Sequence, residues 1–180
     1  MSHTVGFIGL GVMGRPMARH ILTALSATGG TLVIRDLNKE RQRDLLDAGA
    51  EWAETLAEVA QRCDLVIAMV PEIKDVRALL EGPDGLIAHT ARPWTLVVSS
   101  TCSPQEVRDL ARDLDRDGVP IAVVDAPVSG GAEGAESGTL SILVGGEGAA
   151  VELACEVLGA AGTAVHLGPL GAGQVAKACN

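Results

Sequence analysis

Gly9-Leu10-Gly11-Val12-Met13-Gly14 constrains this chain more than any other stretch. It follows Val5-Gly6-Phe7-Ile8, a short apolar run with strand character, and precedes Met17, Ile21 and Leu25, which recur at helical spacing. The glycines therefore sit at a strand-to-helix turn, and each has its own reason to be there. Gly9 allows the tight turn, Gly11 removes a Cβ where a phosphate would approach the backbone, and Gly14 lets the helix pack close to the strand. The first N–H groups of such a helix point at the turn, and the helix dipole favours negative charge there. A strand–GxGxxG–helix unit of this kind suits a dinucleotide pyrophosphate. It places Gly9, Leu10, Gly11, Val12, Met13 and Gly14 around that group.

The chain that follows alternates short apolar runs with amphipathic stretches. Thr4–Ile8 reads as a strand, residues 12–27 as a helix stopped by Gly29-Gly30, and Thr31–Asp36 as a second strand. Asp36 lies about 20 residues beyond Gly14, the interval at which an acid meets the adenosine ribose hydroxyls in such folds. A carboxylate there accepts hydrogen bonds from both hydroxyls and repels a 2′-phosphate, which favours NAD over NADP. Arg35 is the counter-signal, since an arginine nearby can accommodate that phosphate. Successive strand residues point to opposite faces, so Arg35 and Asp36 should not share one site. The plain alternative for Asp36 is a turn residue before Asn38.

Residues 40–48 read as a charged helix ended by Gly49, residues 51–53 as a short strand, and residues 56–61 as a helix. Asp64–Val70 is almost continuously apolar and stops at Pro71, the pattern of a central parallel strand buried on both faces. Residues just past such a strand line the ligand crevice of an open α/β sheet, which makes Val70 and Pro71 cofactor contacts or simply a strand end and turn. Residues 74–80 are helical. Residues 95–99 form a strand that runs into Ser99-Ser100-Thr101-Cys102-Ser103-Pro104. Capping of a helix to about residue 117 explains Ser103 and Pro104. It leaves the hydroxyls of Ser100 and Thr101 at the strand's carboxyl end. After the strand at residues 119–125 comes Asp125-Ala126-Pro127-Val128-Ser129-Gly130-Gly131. This is either a loop whose N–H groups and hydroxyl hold a small carboxylate or an ordinary glycine turn before the strand at residues 140–144. A helix at residues 147–158, a strand at 163–167 and a helix from Ala172 complete the reading. Gln174, Lys177 and Asn180 share one face of that last helix, which by itself reads as a solvated polar face.

The alternation defines an α/β fold, a Rossmann-type doubly wound and mostly parallel sheet. The 180 residues suit one domain, and the scarcity of aromatics, one Phe, two Trp and no Tyr, makes the core aliphatic. A net charge of −9 argues against a nucleic-acid surface. Four widely separated cysteines without a CxxC or Cys/His cluster argue against a metal site and fit free thiols in a reducing cytoplasm. No apolar run is long enough to span a membrane, and nothing at the N-terminus reads as a signal peptide.

Four motifs taken together carry a resemblance over essentially the whole chain. They are Gly9–Gly14 with Met13 inside it, Ser100-Thr101-Cys102-Ser103-Pro104, Asp125–Gly131 with Gly138-Thr139-Leu140, and Gly171-Ala172-Gly173-Gln174 followed by Lys177. In this order they resemble the β-hydroxyacid dehydrogenases, which include 3-hydroxyisobutyrate dehydrogenase and tartronate semialdehyde reductase. More distant relatives are 6-phosphogluconate dehydrogenase and the imine reductases.

The resemblance implies that Gly9–Gly14 holds the pyrophosphate and Asp36 the ribose, with Val70, Pro71 and Thr101 on the cofactor. Ser129, Gly130, Gly131 and Asn180 would bind a small β-hydroxy acid, with Lys177 as general acid/base. An unperturbed lysine titrates at about 10.4, so a base near neutrality needs burial or a nearby cation, and the oxidised nicotinamide supplies one. No other residue is better suited: His3, His20 and His89 lie in the tail, a helix and a loop, and His166, before the Gly168 turn, reads as structural. The family carries a second asparagine and an all-helical C-terminal domain that are absent from this sequence, and its members are homo-oligomers at full length. The division expected is a dinucleotide-binding domain over residues 1–167 and the start of an interdomain helix over 168–180. The rival readings are an NADP-dependent glyoxylate or imine reductase and a non-catalytic cofactor-binding module.

Overall fold

The computed structural model describes residues 2–180. Strands β1 (Thr4–Ile8), β2 (Thr31–Arg35), β3 (Glu51–Trp52), β4 (Leu65–Ala68), β5 (Trp94–Val98) and β6 (Ile121–Asp125) form a parallel sheet in the order β3-β2-β1-β4-β5-β6. The winding reverses between β1 and β4. In an open α/β sheet this is where a crevice opens beyond the carboxyl ends of the strands. Past β6 the sheet changes character. Strand β8 (Leu140–Gly145) runs antiparallel to β6 and to the two-residue β7 (Val128–Ser129), and β9 (Gly162–Gly168) closes the edge parallel to β8.

Helices cover both faces, and strand alternation sorts the core into two layers. On one face Val5, Phe7, Leu32, Ile34, Leu65 and Ile67 meet Met17, Ile21 and Leu25 of α1 (Gly14–Thr28) and Val151, Ala154 and Leu158 of α7 (Gly148–Leu158). On the other, Val33, Val66, Ala68, Leu96 and Val98 meet α3 (Leu56–Arg62), α4 (Ile73–Leu80) and α5 (Pro104–Arg116). Helix α5 shows why its stretch folds so. Val107, Leu110 and Leu114 make one buried stripe, Ser103 caps its amino end with Glu106 reciprocating, and Pro104 opens its first turn. Strands β4 and β5 are buried at every residue, as their near-continuous apolar runs demand, with Thr95 the one polar side chain among them.

Three features differ from the sequence reading. The charged segment after β2 is a 3-10 turn (Lys39–Gln42) leading into a five-residue α2 (Arg43–Asp47). The stretch read as a loop after Gly130 is a helix, α6 (Gly131–Ser137). Glycines at 131 and 134 hide it from propensity, but Gly134 lies against Leu140 Cδ2, 3.3 Å from where its Cβ would stand, and is buried with Ala135. The expected polar face of α8 (Ala172–Ala178) is not solvated throughout, since Gln174 is only 1% exposed. No described helix is long and apolar enough to cross a membrane. No group of three or more His, Cys, Asp or Glu among the described residues is placed to hold a metal ion.

Candidate cofactor and substrate site

The three glycines of the turn do three different things. Gly9 has φ +100°, which favours glycine, and a Cβ there would run into the carbonyl of Met69 just past β4. A Cβ on Gly14 would strike the Gly9 carbonyl and lie 3.1 Å from the Phe7 ring. These two let the ends of β1, β4 and α1 meet. Gly11 faces open space, with nothing within 4 Å of a Cβ position. Packing within the chain does not account for a glycine there, whereas close approach of a ligand to the backbone does.

Above it stands the amino end of α1, which has no side-chain cap and no acid in its first turn, in contrast to α3 and α5, capped by Thr55 and Ser103. Open N–H groups without a competing carboxylate suit an anion. Leu10 ties the turn into the fold: its side chain is buried and its N–H donates to Asp36. Met13 packs against the core, and Val12 is 77% exposed at the mouth.

Asp36 stands just beyond β2. Its carboxylate accepts from the N–H of Leu10 at 2.6 Å and of Asn38 at 2.7 Å, tying the second strand to the glycine turn. Arg41 Nη1 also lies 3.5 Å from Asp36 Oδ1; a carboxylate has about four acceptor positions, so these contacts do not exhaust it. Arg35 points the other way and donates to the carbonyls of Ala53 and Glu54, so the two neighbours do not share a site. Beyond β4, Val70 is half-buried and Pro71 exposed. Beyond β5, Thr101 is exposed, but the Ser100 hydroxyl is not free: it is buried and donates to the Val70 carbonyl at 2.6 Å. Burial pushes the nearby Cys102 thiol up to about 11, so it is protonated at neutral pH.

The last helix is anchored by residues that the sequence reading left without a role. Asp125, fully buried at the end of β6, accepts from the N–H of Gly171 at 2.6 Å and of Gln174 at 2.8 Å, so a side chain 46 residues away caps α8. Burial holds this carboxyl above its ordinary range, opposed by those two donors. Gly173 lies so close to the Leu143 carbonyl that no Cβ fits. The Gln174 side chain accepts from the Cys102 N–H at 3.1 Å and donates to the Ser100 carbonyl at 2.8 Å, clamping α8 onto the loop that presents Thr101. The pairing of Gln174 with Ser100 and Cys102 has no local sequence signal.

One turn along α8 lies Lys177, half-buried, and at its end Asn180 donates from Nδ2 to Ser129 Oγ at 2.7 Å. The structure thus brings Ser129 and Asn180 together. Gly130 (φ +131°) and Gly131 (φ +62°) follow Ser129 directly in conformations that favour glycine. Of the histidines, His166 Nε2 lies at the Gly146 and Gly168 carbonyls and His20 Nε2 at that of Glu136, each nitrogen donating to carbonyl oxygen; these are structural positions.

Strand order, an uncapped helix after a glycine turn and an acid at the end of β2 define a dinucleotide-binding domain. The chain belongs to the family described as the NAD binding domain of 6-phosphogluconate dehydrogenase, which matches residues 4–168. It is 43% identical over 178 residues to an NAD-dependent L-serine dehydrogenase of Pseudomonas aeruginosa, covering 98% of this chain and 57% of that protein. It is 36% identical to the mitochondrial 3-hydroxyisobutyrate dehydrogenase of Bos taurus, covering 98% and 51%. Among solved structures, the Mycobacterium tuberculosis 3-hydroxyisobutyrate dehydrogenase with L-serine superposes with a TM-score of 0.86 at 31% identity, covering 100% of this chain and 59% of that one. The chain therefore spans between half and three fifths of the length of these relatives, and its cofactor is NAD by family.

Proposed function

We propose that this chain is the cofactor half of a dehydrogenase that passes hydride between NAD and a small β-hydroxy acid. The observation that carries the reading is the Asn180–Ser129 contact at 2.7 Å, which puts the end of α8 beside the Ser129–Gly131 turn at the carboxyl edge of the sheet. Lys177 lies on that helix between the Gln174 clamp and Asn180. The names of the two relatives add chemical sense, because L-serine and 3-hydroxyisobutyrate both carry a hydroxyl β to a carboxylate.

Residues Gly9–Gly14 and the amino end of α1 hold the pyrophosphate, Asp36 the adenosine ribose, and Val70, Pro71 and Thr101 the rest of the cofactor. Ser129, the N–H groups of Gly130 and Gly131, and Asn180 hold the substrate carboxylate. In the oxidation direction Lys177 takes the hydroxyl proton on Nζ as the carbon-bound hydrogen leaves with its electron pair; in reduction it returns that proton. Bound NAD supplies the hydride acceptor at C4 of its nicotinamide. Helix α8 (Ala172–Ala178) is the start of a connecting helix, and the dehydrogenase works as a homo-oligomer.

The test pairs binding with turnover. NAD titrated into this chain should bind in the micromolar to millimolar range. In a version carrying the remaining length of its relatives, Lys177→Ala should keep that affinity and lower kcat with L-serine or 3-hydroxyisobutyrate by about a hundredfold or more. Unchanged turnover would end the role of Lys177.

A further inference from the structure

We infer that Gln174 is a positioning residue: its side chain fixes the helix that carries Lys177 against the loops after β4 and β5, so that Lys177 and the nicotinamide end of the cofactor keep one relative placement. This rests on the function proposed above and adds to it the residue that sets the geometry of the proton acceptor.

Four observations carry it. First, the Gln174 amide is buried, which is unfavourable unless its polar atoms are hydrogen-bonded. Oε1 accepts from the Cys102 N–H at 3.1 Å and Nε2 donates to the Ser100 carbonyl at 2.8 Å. A donor on one side and an acceptor on the other admit one orientation of the amide. The two partners belong to the two peptide groups that flank Thr101, so one side chain holds Thr101 from both sides. Second, the Ser100 hydroxyl donates to the Val70 carbonyl at 2.6 Å. The loop of Val70 and Pro71 and the loop of Thr101 are thereby joined in one hydrogen-bonded unit with Gln174. Third, the main chain of Gln174 is held from the other side. Its N–H donates to the buried Asp125 carboxylate at 2.8 Å, and the adjoining Gly173 stands where the Leu143 carbonyl leaves no room for a Cβ. Fourth, Lys177 follows three residues later on the same face of α8, about 4.5 Å along the helix axis. It is half-buried, and the ion pairs of Lys39 with Glu54 and Lys74 with Glu72 have no counterpart at Lys177 among the described residues. The helix sets its place, and Gln174 and Asp125 set the helix.

An apolar side chain of similar volume would fill the same space. It would not tie α8 to the main chain around Thr101. Without the amide, Asp125 still caps α8, but the loop that bears Thr101 and the helix that bears Lys177 are free to shift against each other. Reacting groups must be held close to their productive geometry, and a misplacement of about 1 Å can cost about a hundredfold in rate.

The chain has three lysines, Lys39, Lys74 and Lys177, so reductive methylation with isotope-labelled formaldehyde, which keeps their charge, gives each its own NMR signal. With NAD at saturation, the Lys177 methyls should show an Overhauser contact to the nicotinamide ring protons, and those of Lys39 and Lys74 none. Gln174→Met should weaken NAD by about threefold and lose most of that contact. Gln174→Asn, whose amide stands one methylene shorter and cannot span both partners, should fall between the two and decides the comparison if Gln174→Met does not fold. In a version carrying the remaining length of the relatives, Gln174→Met should lower kcat per folded enzyme by about tenfold or more while raising the KM for NAD by about threefold or less. An undiminished contact in the variants, or an unchanged kcat per folded enzyme, would overturn the role of Gln174 and leave the cofactor reading standing. Absence of NAD binding by the unaltered chain, or bound NAD without contact to its Lys177, would remove the reading on which this inference rests, and the inference with it.

Discussion

At the scale of single residues, the glycine turn separates folding from binding. Gly11 faces empty space, so Gly11→Ala should leave the unfolding free energy within about 1 kcal/mol of the parent. It should weaken NAD by about tenfold or more, because the added methyl would stand in the proposed line of approach of the pyrophosphate. Gly14→Ala should do the reverse damage, with a loss of about 2 kcal/mol or more as its Cβ meets the Gly9 carbonyl and Phe7. Urea denaturation beside calorimetry distinguishes the two. If Gly11→Ala bound NAD unchanged, the open face of that glycine would not be a ligand site. The thiols are equally individual. Burial pushes Cys63 to about 12 and Cys102 to about 11, whereas Cys179 is exposed. Brief iodoacetamide treatment at pH 8 followed by mass spectrometry should therefore find Cys179 alkylated well before those two.

At the scale of elements, α8 is a short helix whose place is decided by groups from β6 and from the loop after β5. Asp125→Asn replaces an acceptor with an amide facing two N–H donors and should cost about 3 kcal/mol. Gln174→Leu strands the Cys102 N–H and the Ser100 carbonyl and should cost about 2 kcal/mol. Both should also lower NAD affinity, since Thr101 sits on the loop that α8 clamps. Asp125 has a pH signature too. Its folded form binds the proton more tightly than an unfolded Asp at 3.8, so the stability it contributes by titration is fully present below that value and is lost as pH rises through the raised one. The stability gap between the parent and Asp125→Asn should therefore narrow from pH 3 to neutrality, measured by urea denaturation at each pH. A constant gap would mean that the carboxyl titrates alike in both states.

At the scale of the whole molecule, one edge of the sheet collects the residues proposed for cofactor and substrate. Gly9, Asp36, Val70, Thr101 and Ser129 come from the ends of five different strands, and α8 adds Lys177 and Asn180 from the far end of the chain. The opposite edge carries supports such as Asp64, which accepts from the Thr4 N–H and pairs with Arg92. Removing the cation there, Arg92→Ala, should change stability by less than about 1 kcal/mol, as for half-exposed ion pairs generally, and should leave NAD affinity unaltered by calorimetry. A loss of cofactor affinity would show that the two edges are coupled through the strands.

Most of the architecture is legible along the chain because its signals are local. Apolar runs mark β1, β2, β4 and β5, amphipathic spacing marks α1 and α5, and Ser103-Pro104 and Gly29 mark helix ends, all within a few residues of the structure they specify. The glycine turn and Asp36 are legible for the same reason, since strand, turn, helix and strand follow one another directly. Tertiary structure alone decided the rest. Helix α6 exists against its glycines because β8 covers it. Gln174 is buried because Ser100 and Cys102, more than 70 residues earlier, receive it. Asp125 became a helix cap, and Arg41 came to stand over Asp36, through folded geometry that has no period and no motif. Local propensity is written in neighbouring residues, whereas a hydrogen bond between distant segments is written only in the packing that brings them together.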